Sequence, residues 1–262
     1  MRKTVGGGAC GIFLCMVALV GCVDQQTRQK LDSGEQSLAA KNFDGAIQSS
    51  DQALAANPTG PAAAEAYYVR GRAVEERPKP DASAAARDQA RANADYQAAL
   101  ALNPPNPLAA RIRSQLANLA YFREDYAAAL NLWNEAIPGL DNPDWKATAL
   151  YRVGVCEQRL GRWTDADRAF SMVIRDYPTS DAATRAAGHQ GLRGFAVQVG
   201  AFSNPAAADN AVAAIQKAGA AATKNPERGL TVVRTGTVAT YAEAKALKAR
   251  LTGTYPDAVI VP

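Results

Sequence analysis

The strongest constraint on this chain is a helical layout that returns four times between residues 27 and 190. Phe43-Asp44-Gly45-Ala46 leads to Ala53 and then Asn57-Pro58, and Ala92 and Tyr96 lead to Ala99 and Asn103-Pro104. Tyr126 leads to Ala129, Trp133 and Ala136, and Gly161-Arg162-Trp163 leads to Ala166, Phe170 and Tyr177-Pro178. Each stretch carries apolar residues at helical spacing and stops on turn-forming residues. Small residues stand at fixed distances upstream: Gly34 precedes Pro58 by 24 residues and Gly154 precedes Pro178 by 24. A small side chain lets two helices cross closely, and proline ends the second helix because it has no N–H to donate. The second unit is stretched, with Gly71 standing 33 residues before Pro104, which implies an insertion around Arg77 to Arg87. The third has Ala117 in place of glycine and ends at Asp141.

This layout resembles the tetratricopeptide repeat, a helix pair with a period of ~34 residues. The resemblance implies an all-α array over residues 27–190, closed by a helix within 179–190 that covers the last repeat. Trp133, Trp163, Phe170 and Tyr96 are then expected as core side chains. Binding in such arrays lies on the concave face built by the first helices. The family's groove positions fall on Tyr68, Arg72, Asn118, Tyr121, Tyr151 and Arg159, which the resemblance marks as residues for a protein partner. The family's full lysine-asparagine clamp for a C-terminal carboxylate is missing.

From residue 195 the pattern changes from helical to alternating. Phe195-Ala196-Val197-Gln198-Val199 reads as a half-buried strand, Gly200 as a turn, and Asn204-Pro205 as the start of a helix to about Ala218. Thr231 to Thr235 repeats the strand, Gly236 the turn, and Thr240-Tyr241-Ala242-Glu243 opens a second helix with a capping box. Short strands near Ala220 to Lys224 and Ala258 to Val261 complete a βαββαβ order, the ferredoxin-like arrangement with both helices on one face of an antiparallel sheet. The sequence therefore predicts an α array followed by a small α+β domain over 195–262, joined through residues 191–194.

Val-Gln-Val-Gly-Ala-Phe at 197–202, with Ser203-Asn204-Pro205 and an alanine-rich helix after it, resembles the start of a SPOR domain. Val-Arg-Thr-Gly at 233–236 resembles that family's second strand-and-helix unit. The resemblance implies binding of peptidoglycan, with preference for glycan strands stripped of stem peptides, which are enriched where cells divide. If Val197, Val199 and Val233 face the helices, period-two alternation sends Gln198 and Arg234 to the open face. Gln198 offers amide donors and an acceptor to sugar hydroxyls, and Arg234 a fork of donors. Val232, with Ile260 or Ala258, is expected to pack against sugar rings. An RNA-binding reading of the same sheet fails because the open-face positions carry no aromatic residue for base stacking.

Composition supports binding rather than catalysis. The chain has 262 residues, 48% hydrophobic and 21% charged, and a single histidine, His189, which disfavours a His-ligated metal or a Ser/His triad. No cofactor is expected. The formal charge of +4 falls to +2 without residues 1–21 and shows no nucleic-acid bias. Those residues read as an export signal: Arg2 and Lys3 precede an uncharged apolar run from Gly11 to Gly21. Eleven residues at ~1.5 Å each cover about half of a ~30 Å hydrocarbon core, too short to span it as a helix. Leu19-Val20-Gly21-Cys22 resembles the lipobox of bacterial lipoproteins, which implies cleavage before Cys22, its acylation as a membrane anchor, and a short tether over 22–26. With Val23 rather than aspartate next, outer-membrane sorting on the periplasmic side is implied. Cys156, at helical spacing between Val153 and Leu160, reads as a small buried side chain. These parts predict a non-enzymatic envelope lipoprotein tying a protein complex to division-site peptidoglycan. The alternative is an outer-membrane biogenesis or Tol-Pal-type coordination factor that acts through its repeats, with the sheet domain only localising it. A hydrolase reading fails because the repeats leave no room for a catalytic domain.

Overall fold

Several helices in the first 190 residues start where a short polar side chain can satisfy a free N–H, a common requirement at a helix N-terminus. In the computed structural model, which describes residues 25–262, Asn42 accepts from Gly45 N at 3.1 Å, Asp81 from Ala84 N at 2.7 Å, and Asp125 from Ala128 N at 3.1 Å. Ser180 caps the last helix by accepting from Ala183 N at 3.1 Å. The helices are α1 (Gln25–Ala39), α2 (Phe43–Ala56), α3 (Gly60–Glu76), α4 (Ala82–Ala101), α5 (Asn106–Phe122), α6 (Tyr126–Ala136), α7 (Pro143–Arg159), α8 (Trp163–Asp176) and α9 (Asp181–His189). The expected signal and Cys22 lie outside the described residues, and of the expected tether Gln25 and Gln26 already belong to α1.

The pairs α1–α2, α3–α4, α5–α6 and α7–α8 are the four expected units, and α9 is the closing helix. The alanine columns are buried as expected, with Ala46, Ala53, Ala92, Ala99, Ala129 and Ala166 in contact with neighbouring helices. The upstream small residues have a steric cause. A Cβ on Gly154 would lie 2.4 Å from Cε1 of Phe170, and one on Gly71 2.7 Å from Cε1 of Tyr96. Both rings are fully buried, so each glycine is the socket into which the aromatic of the second helix inserts. The insertion lengthens α4 to 20 residues and adds a short connection, pinned where Arg77 pairs with the buried Asp88 at 2.5 Å. Cys156 is buried as expected, and burial pushes its thiol up to about 12. Trp163 departs from expectation: it is half-buried at the end of the array rather than a core side chain.

The closing helix is fastened by a polar network. Gln158 is buried in α7, donates from Nε2 to the carbonyl of His189 at 3.0 Å, and receives His189 Nδ1 at 2.8 Å. That leaves His189 Nε2, 3.2 Å from the Tyr151 hydroxyl, as an acceptor in the neutral ring. Burial, reinforced by the nearby Arg159 guanidinium, holds the imidazole below its ordinary 6.5. A base with a lowered folded pKa stabilises the fold fully above its unfolded pKa and loses that contribution as pH falls. The thermal midpoint of the array is therefore expected to drop from pH 7 to pH 5.5, and the drop is expected to shrink in His189→Gln. Unfolding curves of both proteins across that range check it.

The C-terminal domain consists of β1 (Ala196–Phe202), α10 (Pro205–Lys217), β2 (Ala222–Glu227), β3 (Leu230–Thr235), α11 (Tyr241–Leu251) and β4 (Val259–Val261). Its sheet has the order β2-β3-β1-β4 with every pair antiparallel. Both helices lie on one face, over a core of Val197, Val199, Val233, Ile215, Leu247 and Leu251. The Thr240–Glu243 capping box forms as expected. Two boundaries differ. The chain does not turn at Gly200; β1 continues to Phe202 through a bulge that sets Gly200 opposite Val233. β2 ends at Glu227, not Lys224, because Arg228 and Gly229 both take positive φ (50° and 81°). They form the tight two-residue turn that pairs Glu227 with Leu230. Pro226 is tolerated because β2 is an edge strand.

Candidate functional sites

The face of the sheet away from the helices carries the predicted polar pair. Gln198 and Arg234 are direct cross-strand partners on the two central strands, and Arg234 Nε donates to Gln198 Oε1 at 3.0 Å. Arg234 Nη2 also pairs with Glu227 on β2 at 3.1 Å. Gln198 thus spends its carbonyl on the guanidinium and keeps its amide N–H groups, while Arg234 keeps part of its fork. The two side chains act as one pre-positioned donor group. The apolar neighbours are not those expected. Val232 is 4% exposed, a short side chain on an interior strand, flanked by Asn225 and Ala201 across the sheet and by Leu230 and Arg234 along the strand. Ala258 belongs to the helix-side core and Ile260 packs against it. Val259, set between them, takes the outward position: it pairs with Gln198 and is 48% exposed. Its signal was present in the sequence, since alternation through a buried Ala258 and Ile260 sends Val259 out.

The second site is a cavity of about 230 Å³ on the first helices of the array. It brings together Tyr68 and Arg72 of α3 with Asn118 of α5, three of the predicted groove residues. Arg72 donates to the Tyr68 hydroxyl at 3.2 Å and pairs with Glu76. Sequence reasoning missed Arg111, Ser114, Trp145 and Arg152, which line the same cavity. They fall on the inner faces of α5 and α7 at three- and four-residue spacing, a signal that the periodicity of these helices did contain. Tyr121 and Tyr151 do not line it. Tyr121 packs edge-on against Tyr126, with its ring 4.8 Å below Cζ of Arg152. The Tyr151 hydroxyl is engaged by His189, as described above.

Family comparisons follow this division. Residues 191–262 match the model of the SPOR domain, and residues 148–180 match that of the tetratricopeptide repeat. The C-terminal unit is a SPOR domain, and α7–α8 form a tetratricopeptide repeat within an array of like helix pairs. A tetratricopeptide repeat protein from Parabacteroides merdae ATCC 43184 is 17% identical, with 63% of this chain and 59% of that one covered at a TM-score of 0.50. The crystal structure of MamA protein is 20% identical over 64% of this chain and 85% of its own, at a TM-score of 0.48. The likeness to the Parabacteroides merdae protein bears on the fold alone. Curated protein sequences give no significant match. SPOR domains are peptidoglycan-binding modules and tetratricopeptide repeats are protein-interaction modules; neither is catalytic.

The SPOR domain is docked on the array, and this junction takes one of the predicted groove residues. Arg159 lies not in the groove but at the end of α7, its Cζ 4.0 Å from the Tyr241 ring centroid and 5.3 Å from that of Phe195. Trp163 packs against Phe195 in a tilted arrangement at 5.1 Å, and Tyr126 meets Tyr241 edge-on at 5.6 Å. Glu124 receives the Tyr241 hydroxyl at 3.3 Å and pairs with Lys245, whose hydrogen bond holds that carboxylate below its usual range. The connecting residues are fixed as well: Asp167 accepts Gly191 N at 2.8 Å and pairs with Arg193 at 2.5 Å. A cleft of about 560 Å³ runs from Arg234, Thr223 and Asn225 on the open sheet face to Gly188 and His189 at the end of α9. The sheet face therefore opens beside the last helix of the array.

Proposed function

We propose that the chain is a non-enzymatic envelope lipoprotein, anchored through an acylated Cys22, whose SPOR domain holds denuded glycan strands at the division site while its repeats hold a protein partner. The observation that carries the glycan part is the hydrogen-bonded Gln198–Arg234 pair beside the exposed Val259 on the open sheet face. Sugar recognition needs such a combination, because hydroxyls and N-acetyl groups call for fixed donors while the C–H faces of the ring call for a small apolar surface. Docking through Arg159 and Tyr241 keeps glycan face and repeat groove in one relative orientation, so a bound partner is presented to the wall at a set angle. The lipobox-like Leu19-Val20-Gly21-Cys22 supports the anchor, and Val23 after it supports the periplasmic face of the outer membrane.

The test is sedimentation of the chain lacking residues 1–21, with Cys22→Ser, on purified sacculi. Amidase treatment, which strips stem peptides and leaves glycan, is expected to raise the bound fraction several-fold. Equal or lower binding to treated sacculi contradicts the denuded-glycan reading.

A further inference from the structure

The groove of the array carries chemistry of its own. Three guanidinium groups, those of Arg72, Arg111 and Arg152, line one cavity, and none of its lining residues is an aspartate or glutamate. Two of the three are offset from the rim: Arg72 by Glu76 and Arg111 by Asp141 at 3.2 Å. Arg152 has no carboxylate partner among the described residues; its guanidinium rests on the Tyr121 ring alone. Two buried donors in this wall, Arg111 Nε and Ser114 Oγ, have no hydrogen-bond partner among the described residues. Buried polar groups are nearly always paired, so an unpaired pair of donors beside an uncompensated cation marks a place where an acceptor is missing.

The apolar part of the wall narrows the ligand. Trp145 is 46% exposed, an unusual state for a large aromatic, and lies under Arg111 with Cζ 5.3 Å from its ring centroid. An apolar plate next to three guanidiniums fits an acidic residue followed by an apolar one better than it fits a bare anion. The site also has length. Its lining comes mainly from α3, α5 and α7, so an extended segment of several residues, rather than one side chain, reaches across it.

We infer that this groove binds an extended acidic-apolar peptide segment of the partner protein, with a carboxylate held by Arg152, Arg111 and Ser114 and an apolar side chain on Trp145. This rests on the reading of the repeats as the partner-binding part. It goes beyond that reading in naming the chemistry of the partner and the residues that meet it.

The experiment titrates the same lipid-free full-length mature chain with an acetylated, amidated octapeptide of alternating glutamate and leucine. Controls are the lysine-leucine counterpart and sodium acetate, read by calorimetry and tryptophan fluorescence. The acidic peptide is expected to bind with an affinity that falls as salt rises, and the basic peptide at least tenfold more weakly. Arg152→Gln is expected to cost about ten- to a hundredfold, the loss of one charge-assisted contact. Thr148→Glu places a negative charge on an exposed position of the same wall and is expected to weaken binding similarly without disturbing packing. Equal binding of the two peptides, or unaltered binding by both folded variants, overturns the inference. Acetate binding as tightly as the peptide also overturns it, leaving a small-anion site. Sacculus binding by these variants, expected to match wild type, separates a failure here from a failure of the glycan reading.

Discussion

Replacing Phe170 with alanine is expected to destabilise the array by ~3–5 kcal/mol, the usual cost of deleting a fully buried aromatic ring. The ring is 0% exposed and fills the socket made by Gly154, so its removal leaves a cavity that helical backbones on both sides cannot close. It also contacts Tyr151 at a centroid distance of 6.0 Å and His189 at 5.5 Å, so the closing helix loses support in the same step. Because repeats are stabilised mainly by their neighbours, the last pair and α9 are expected to unfold first, followed by the rest of the array. Gly154→Ala attacks the same seam from the other side and is expected to cost ~1–3 kcal/mol by overpacking. Denaturant titration followed by helical circular dichroism checks both. Wild-type stability in Phe170→Ala would mean that the pairing of α7 with α8 is misplaced.

What could be read from the sequence follows from how local its causes are. Helix pairs, caps and the glycine-proline spacing depend on contacts within ~34 residues, and these expectations held, including the closing helix. The βαββαβ order was legible because alternation and capping are properties of single elements. Legibility failed where the cause lay elsewhere in the chain. Arg159 and Trp163 have helical spacing that suits groove or core, and only the docked SPOR domain, with Phe195 and Tyr241, decides where they go.

The same holds for the polar residues. Tyr151 sits on the inner side of its helix, yet its hydroxyl is taken by a histidine 38 residues away. Within the sheet, alternation placed Gln198, Arg234 and Val232 on one face, but Val232 is buried there, because exposure on an interior strand depends on the length of the neighbouring side chains. The end of β2 was missed because a non-glycine residue, Arg228, occupies left-handed backbone, a choice with no strong sequence signal.

The central claim, that the open sheet face and not the helix face holds glycan, is tested most directly by one charge reversal on each side of the sheet. Arg234→Glu removes a guanidinium from the open face and frees Gln198 from its partner. Lys224→Glu makes the same change on the neighbouring strand, where the lysine pairs with Asp209 of α10 at 2.6 Å on the helix side. Both positions are solvent-accessible enough that folding is expected to survive, which far-ultraviolet circular dichroism verifies. Losing charge-assisted hydrogen bonds at ~1.5–3 kcal/mol corresponds to about ten- to a hundredfold weaker binding. Sedimentation on amidase-treated sacculi is therefore expected to show Arg234→Glu largely unbound and Lys224→Glu bound like wild type. Equal loss in both, or wild-type binding by Arg234→Glu, would contradict the account.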